Sequence, residues 1–488
     1  MDPTGTTGRP PRPASGEPSH AGDLTAAKGS GAVGAGGPPG ALATDLYELN
    51  MAASYLAREM TAPATFSLFV RRLPARRAFL VAAGLDDCLS YLENFHFTDD
   101  DLAHLGAIGF SEETVRRFSR VRFTGEVRAI PEGRIAYASE PLVEVTAPIA
   151  EAQLVETILL NQITFQTAVA SKAARCRIAA QGRIDLVEFG LRRAHGVEAA
   201  MAAARAAAIT GFVATSNVAA SRHYGLNAAG TMAHSYVQAF SSEQDAFHAF
   251  AADLPSRVTL LVDTYDTMRG VRRAIEVIKD LGLERSAGVR LDSGDLIQLS
   301  FATRAVLDEA GLDSVRIFVS GNIDEDALAA MVAARAPINA AGVGTRLDTS
   351  ADAPYLDTAY KLVEYAGRPV AKLSPGKVTY PGAKQVFRSA DGPDILALRD
   401  EEPPAGSEGL LVKVMEGGRR CGGAELLDPA GAVAAAGVRF ASDIRRVSPA
   451  ARRLDDPLVL APAVSPGLER LCDEVYERSR RTGGGFGS

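Results

Sequence analysis

Val258-Thr-Leu-Leu-Val262-Asp-Thr-Tyr265-Asp266 and Gly288-Val-Arg290-Leu-Asp292-Ser-Gly-Asp295 follow one pattern: a short apolar run that stops abruptly in a cluster of polar and ionisable residues. The pattern recurs on both sides. Run 184–189 leads into Glu188-Phe189-Gly-Leu-Arg192, run 211–214 into Thr215-Ser216-Asn217, and run 231–233 into His234-Ser235. Further on, run 315–319 ends in Ser320-Gly321-Asn322 and run 338–343 in Gly342-Val-Gly344-Thr345. Helical segments separate the runs at about the 30-residue spacing of a strand–helix–strand unit, which predicts a parallel sheet. A polar turn or a helix cap explains any one cluster. Seven in succession point to a β/α barrel, whose strands all bring their C-terminal ends to one mouth; an open doubly wound sheet gathers only those near its switch point.

Working outward, the segment before the barrel reads as a helix over 45–60 capped by Thr44, a strand at 66–70, and helices near 84–93 and 111–119. Short antiparallel strands follow over 123–146, broken at Pro131-Glu132-Gly133, and then one long helix over 151–180. Beyond residue 357 come strand-like runs at 360–365, 369–373 and 410–414, a basic turn-rich segment from Ser374 to Arg388, and a helical end. The expected fold class is therefore α/β: an irregular, open, TIM-like barrel over 151–356 beside a second, discontinuous α/β domain made from 41–150 and 357–488. Residues 1–40 hold 10 Gly and 7 Pro and no aromatic residue, the composition of a disordered tail. Their Gly29-Ser-Gly31-Ala-Val-Gly34 matches a dinucleotide fingerprint only in composition, because no strand precedes it and no helix follows.

The 488 residues carry 52 basic and 59 acidic side chains, a formal charge of −7, with no Lys/Arg block and no tryptophan, so nothing suggests a nucleic-acid footprint. Cys88, Cys176, Cys421 and Cys472 form no CxxC pair, which argues against a zinc ribbon or a disulfide framework. No window is apolar enough to span a bilayer and the start lacks a signal-peptide pattern, so the expectation is a soluble, cytoplasmic protein without membrane or nucleic-acid partners.

The barrel clusters supply the chemistry. Glycine turns on two adjacent late strands, at Gly321 and Gly344-Thr345, suit a phosphate cradle; tight turns are the alternative. Arg290 and Asp292, two apart on a strand, share a face: the arginine can grip a phosphate while the carboxylate holds a sugar hydroxyl or a Mg²⁺ water, or the two form a buried ion pair. Phe189 beside Arg192 suits a planar anionic ring, unless Phe189 is simply core. His234, among small and polar residues, is placed to act as base, metal ligand or covalent nucleophile, and no His/Cys partner at metal spacing favours zinc.

Together with Thr44-Asp-Leu-Tyr47-Glu-Leu, Gly230-Thr-Met-Ala-His234-Ser and Val262-Asp-Thr-Tyr265, these stretches resemble the nicotinate phosphoribosyltransferase family, from about Leu42 to Arg478. The resemblance implies a type II phosphoribosyltransferase fold and a homodimer whose active sites lie near the subunit interface. It implies transfer of phosphoribose from 5-phosphoribosyl-1-diphosphate (PRPP) to nicotinate, the first step of NAD salvage from nicotinate, with ATP hydrolysis coupled to it, Mg²⁺ accompanying PRPP and ATP, and no tightly bound organic cofactor. It implies that the partner subunit's Tyr47 and Phe189 sandwich the pyridine ring with Arg192 beside it. Asp292 would hold the ribose hydroxyls, Arg290 the phosphoribosyl group, and Gly321, Gly344 and Thr345 the 5-phosphate. His234 corresponds to the histidine that ATP phosphorylates in the family. In the related nicotinamide enzymes an aspartate stands where Ser216 stands here; a carboxylate there would repel nicotinate, so Ser216 favours the acid. Two other readings remain: a nicotinamide-type or other phosphosugar barrel enzyme, and a catalytically silent regulatory homologue, which would be expected to have lost His234 or Asp292.

Overall fold

A computed structural model describes residues 40–372, 379–389, 392–421 and 428–483. The Gly/Pro-rich tail with its fingerprint-like stretch, apart from Gly40, and the first part of the basic segment, residues 374–378, lie outside the described residues. After residue 184 the apolar runs form a six-stranded sheet in the order Ala214–Thr215, Asp185–Glu188, Ala340–Val343, Arg316–Val319, Gly288–Leu291, Thr259–Leu261, every neighbouring pair parallel. Val289, Leu291, Ile317, Val319, Ala341 and Val343 are completely buried, as strands covered on both faces must be. The helices between them include Val197–Ile209, Thr267–Asp280, Leu296–Glu309 and Glu325–Ala333.

The sheet does not close. Run 231–233 is not a strand: the chain there makes only an isolated bridge between Thr215 and Ala228, and His234 opens a short helix, His234–Gln238. The stretch Asn227-Ala-Ala-Gly-Thr231 has one β-branched residue and a glycine, too little for a strand to hold its place. Six strands, not seven, therefore deliver the clusters. Several polar strand-end residues are also plain helix caps: Asn217, Asp266, Asp295 and Asp324 each accept a backbone N–H in the first turn of the helix that follows.

A seven-stranded sheet, in which the neighbouring strands pair antiparallel, lies apart from the first in sequence pairing. Its order is Arg368–Pro369, Thr358–Tyr365, Pro63–Val70, Pro141–Pro148, Glu126–Ala129, Val412–Glu416, Arg419–Arg420, so strands from both ends of the described chain interleave. The expected single helix over 151–180 is two, Ile149–Leu154 and Glu156–Ala180, parted at Val155. The longer one links the two cores: Ile158, Leu159 and Ile163 pack with the antiparallel sheet, whereas Val169, Ala173 and Cys176 pack with the parallel one. The first helix is Leu46–Ala57 with Asp45 as its N-cap; the Thr44 hydroxyl goes to Glu48 instead of capping the backbone. Glu132, in the turn that breaks the early strands, accepts from Gly84 N (2.7 Å), Leu85 N (3.0 Å) and Arg205 (2.7 Å), so a fully buried ion pair joins that turn to the Val197–Ile209 helix. All four cysteines are free thiols, and among the described residues no helix is long and apolar enough to cross a membrane.

Candidate active site

The side chains at the C-terminal ends of the parallel strands form one connected cluster. Arg290, the third residue of its strand and only 8% exposed, points across the mouth and spends its donors on several partners. Its Nε donates to Ser320 Oγ (2.7 Å), Nη1 to Thr231 Oγ1 (2.9 Å) and the Met232 carbonyl (3.2 Å), and Nη2 to Asp292 Oδ1 (2.6 Å). Ser320 also donates to Asp292 Oδ1. Asp292 sits one residue past the strand end, so it is less covered than Arg290, yet the pair still meets. Burial alone would raise the Asp292 carboxyl, but the Ser320 hydroxyl and the Arg290 charge outweigh it and hold the group below the usual carboxylate range. It is ionised at neutral pH.

His234 faces Asp292 from the other side. Its Nε2 lies 3.9 Å from Asp292 Oδ2 and its Nδ1 3.1 Å from Thr264 Oγ1, with the imidazole partly exposed to the mouth. Asp263 fixes the turn beneath: its Oδ2 accepts from Asp292 N (2.9 Å) and Ser293 Oγ (2.6 Å). The Phe189 ring lies 5.8 Å from the Arg290 guanidinium and 5.4 Å from the Phe318 ring. The glycine turns are forced by close approach. Gly321 has φ of +96°, and a Cβ on it would lie 2.2 Å from the Asp292 carbonyl oxygen; at Gly344 a Cβ would lie 2.9 Å from the Phe189 carbonyl oxygen. Both glycines thus press the late turns against the residues that carry the chemistry. Among the described residues no group of three His, Cys, Asp or Glu side chains could hold a metal by itself.

This arrangement matches known proteins along most of its length. Residues 42–164 match the model of the nicotinate phosphoribosyltransferase N-terminal domain, and residues 184–385 match that of the nicotinate phosphoribosyltransferase family. A nicotinate phosphoribosyltransferase of Mycobacterium tuberculosis is 52% identical over 387 residues, 78% of this chain and 83% of the relative. The chain belongs to the nicotinate phosphoribosyltransferase family. The human nicotinate phosphoribosyltransferase is 33% identical over 89% of this chain and 96% of its own length. The crystal structure of human nicotinic acid phosphoribosyltransferase superposes with a TM-score of 0.79 at 30% identity, covering 88% of this chain and 99% of that one. A nicotinate-nucleotide pyrophosphorylase from Pyrococcus furiosus, at 23% identity and a TM-score of 0.64, shares the fold.

Of the residues singled out from the family likeness, the structure brings Phe189, His234, Arg290, Asp292, Gly321 and Gly344 together. Thr345 follows Gly344 at the exposed start of the Thr345–Asp348 helix. Arg192 is exposed on the short Leu191–Arg193 turn that continues from Phe189. Ser216 is half-buried, its N–H donating to the Glu188 carbonyl (2.8 Å), which places it beside the same turn. Tyr47 stands apart from the cluster. It is 47% exposed on the first helix, and the groups that act on its hydroxyl are Glu156 and Glu48. Thr231, Asp263, Thr264 and Ser320 hold the site together; all four lie in the motifs and strand-end clusters that the sequence shows, but none has a role that local spacing assigns.

Proposed function

We propose that this chain transfers the phosphoribosyl group of PRPP to nicotinate, giving nicotinate mononucleotide and diphosphate. The observation that supports this most is the meeting of Phe189, His234 and the Arg290–Asp292 pair at one mouth, from three different strand ends or turns. The pyridine ring lies on Phe189, whose plane is set by Phe318 and Arg290, with Arg192 and Ser216 on the side of its carboxylate. The ring nitrogen already offers a lone pair, so the site needs no general base. Transfer at the sugar carbon passes through an oxocarbenium-like centre, as in glycoside hydrolysis. The ionised Asp292, kept in place by Arg290 and Ser320, bonds the ribose hydroxyls and lies close to the positive charge that develops. The turns at Gly321 and Gly344-Thr345 offer backbone N–H groups to the 5-phosphate.

Mg²⁺ fits this setting as a companion of the diphosphate. It is commonly held by one or two carboxylates and substrate phosphates, and the Asp263 Oδ1 atom is buried with no partner among the described residues, next to the Asp292 turn. When bound it would neutralise charge on the departing diphosphate. We further propose that ATP phosphorylates His234, that the added charge tightens PRPP binding, and that the phosphohistidine is hydrolysed in each cycle. The exposed Tyr47 is assigned to the neighbouring site of a homodimer.

The test is turnover. Purified protein with PRPP, Mg²⁺ and ATP is expected to release diphosphate with nicotinate and far less with nicotinamide; equal use of the amide would remove Ser216 from its role in selection. A His234→Ala variant is expected to lose stimulation by ATP and keep a slow ATP-independent transfer. Undiminished ATP stimulation in that variant would take His234 out of the scheme.

A further inference from the structure

Behind the Phe189-Gly190 turn lies a pair of buried acids to which the proposed chemistry gives no task. Glu188 is 1% exposed, one carboxylate oxygen accepting from the Thr215 hydroxyl and the other from the Gly190 N–H. Asp348, at the end of the Thr345–Asp348 helix, is as deeply buried, and neither of its carboxyl oxygens has a hydrogen-bond partner among the described residues. The two acids meet at Gly190. Its N–H goes to Glu188, and a Cβ built on it would lie 2.1 Å from Asp348 Cγ, so only glycine lets the carboxyl sit there.

Among the described residues no cation offsets Asp348. The helix that carries it packs on the Glu156–Ala180 and Val197–Ile209 helices and the Leu191–Arg193 turn. On the first of these, Lys172 and Arg175 are taken by Glu325 and Lys172 also by Asp352, Glu156 bonds Gln153, and Arg177 lies against Gly182 and Gly211. On the second, Arg205 is taken by Glu132, and Glu198 is exposed. Arg192 and Arg193 on the turn are exposed, and Arg346, on the same helix as Asp348, pairs with Asp324. A buried carboxylate with neither donor nor counter-ion takes up a proton in preference to staying charged.

We infer that Asp348 is a positioning residue held as a neutral acid, which keeps the floor beneath the Phe189 turn at no more than one negative charge and so lets an anionic ring acid bind above it. The inference deepens the nicotinate reading and rests on it. Burial and then the repulsion of Glu188 push the Asp348 ionisation up to about 9, and burial also raises Glu188. Above that range Asp348 loses its proton, and two carboxylates stand beneath the ring site.

The experiment compares the parent with Asp348→Asn, which keeps the shape and cannot ionise. For the parent, KM for nicotinate is expected to rise at least about fivefold between pH 7.5 and 10 from the added like charge at close range; in Asp348→Asn that rise is absent. The second readout needs no substrate. A carboxyl whose ionisation is higher in the fold than in the unfolded chain costs stability increasingly as pH rises from the unfolded value to the folded one. The Asn variant is therefore expected to melt several degrees above the parent at pH 8 and by much less at pH 5. An alkaline KM rise of the same size in both proteins, or a melting difference that does not depend on pH, would overturn the inference. If the parent transfers nothing to nicotinate at any pH, the substrate reading fails, and the role for the ring with it; the melting comparison still decides whether Asp348 holds a proton.

Discussion

Replacing Asp292 by asparagine is expected to lower kcat/KM for phosphoribosyl transfer by about a thousandfold, the scale on which removal of a preorganised electrostatic partner acts on a transition state. The loss falls on kcat more than on KM, because the carboxylate acts most strongly on charge that appears only as the diphosphate departs. The fold is expected to survive. Arg290 keeps Ser320, Thr231 and the Met232 carbonyl when its bond to Asp292 weakens, so the cost to stability is about 1.5–3 kcal/mol, that of a hydrogen bond to a charged group. Because Asp292 is held below the usual carboxylate range, any acid limb of the rate between pH 5 and 7 belongs to another group. Steady-state kinetics with a melting curve for each protein checks both halves. An Asn variant within tenfold of the parent would show that the carboxylate does not serve the transition state.

The second large effect concerns stability. Glu132 and Arg205 are buried together, and Glu132 also holds two backbone N–H groups at the start of the Leu85–Glu93 helix. Exchanging Arg205 for methionine leaves that carboxylate without a counter-ion, at an expected cost of about 3–5 kcal/mol at pH 7. The pH dependence has a definite sign. Burial alone would raise Glu132, but Arg205 outweighs it and holds the group below its ordinary value. The stabilisation is thus fully present above the unfolded value of about 4.3 and is lost as pH falls through the folded one. In Arg205→Met burial without a counter-ion lets the carboxylate take up a proton in the fold, so the gap between the two proteins narrows as pH falls from 7 to 4. Denaturant unfolding at pH 7 and pH 4 measures it; a gap of the same size at both would mean that packing of the Arg205 stem, not the ion pair, carries the effect.

These two sites show what the sequence makes legible. Asp292 stands in a strand-end cluster two residues from an arginine, and local spacing is enough to suspect it. Glu132 looks like a residue of a Pro-Glu-Gly turn, because its partner lies 73 positions away and nothing local marks the pair. Asp348 is hidden for the same reason: its meaning comes from Glu188 and Gly190, which only the fold brings near. The parallel sheet was readable because buried strands are continuous apolar runs, whereas the expected strand at 231–233 was a short apolar stretch whose place in the fold depends on tertiary pairing. The clusters themselves were mixed. Asn217, Asp266 and Asp295 cap helices, as a bland reading of each would have it, while Arg290, Asp292 and His234 face one another across the mouth. Tyr47 keeps its meaning only if a second copy of the chain brings it to Phe189.

The most direct measurement is a crystal structure of the protein grown with nicotinate mononucleotide, diphosphate and Mg²⁺. The account predicts the pyridine ring on Phe189, the ribose hydroxyls on Asp292, and the 5-phosphate at the Gly321 and Gly344 turns. Product bound elsewhere, for instance in the roughly 750 Å³ groove flanked by Arg177, Arg445 and Arg452, with the mouth left unoccupied, would contradict it.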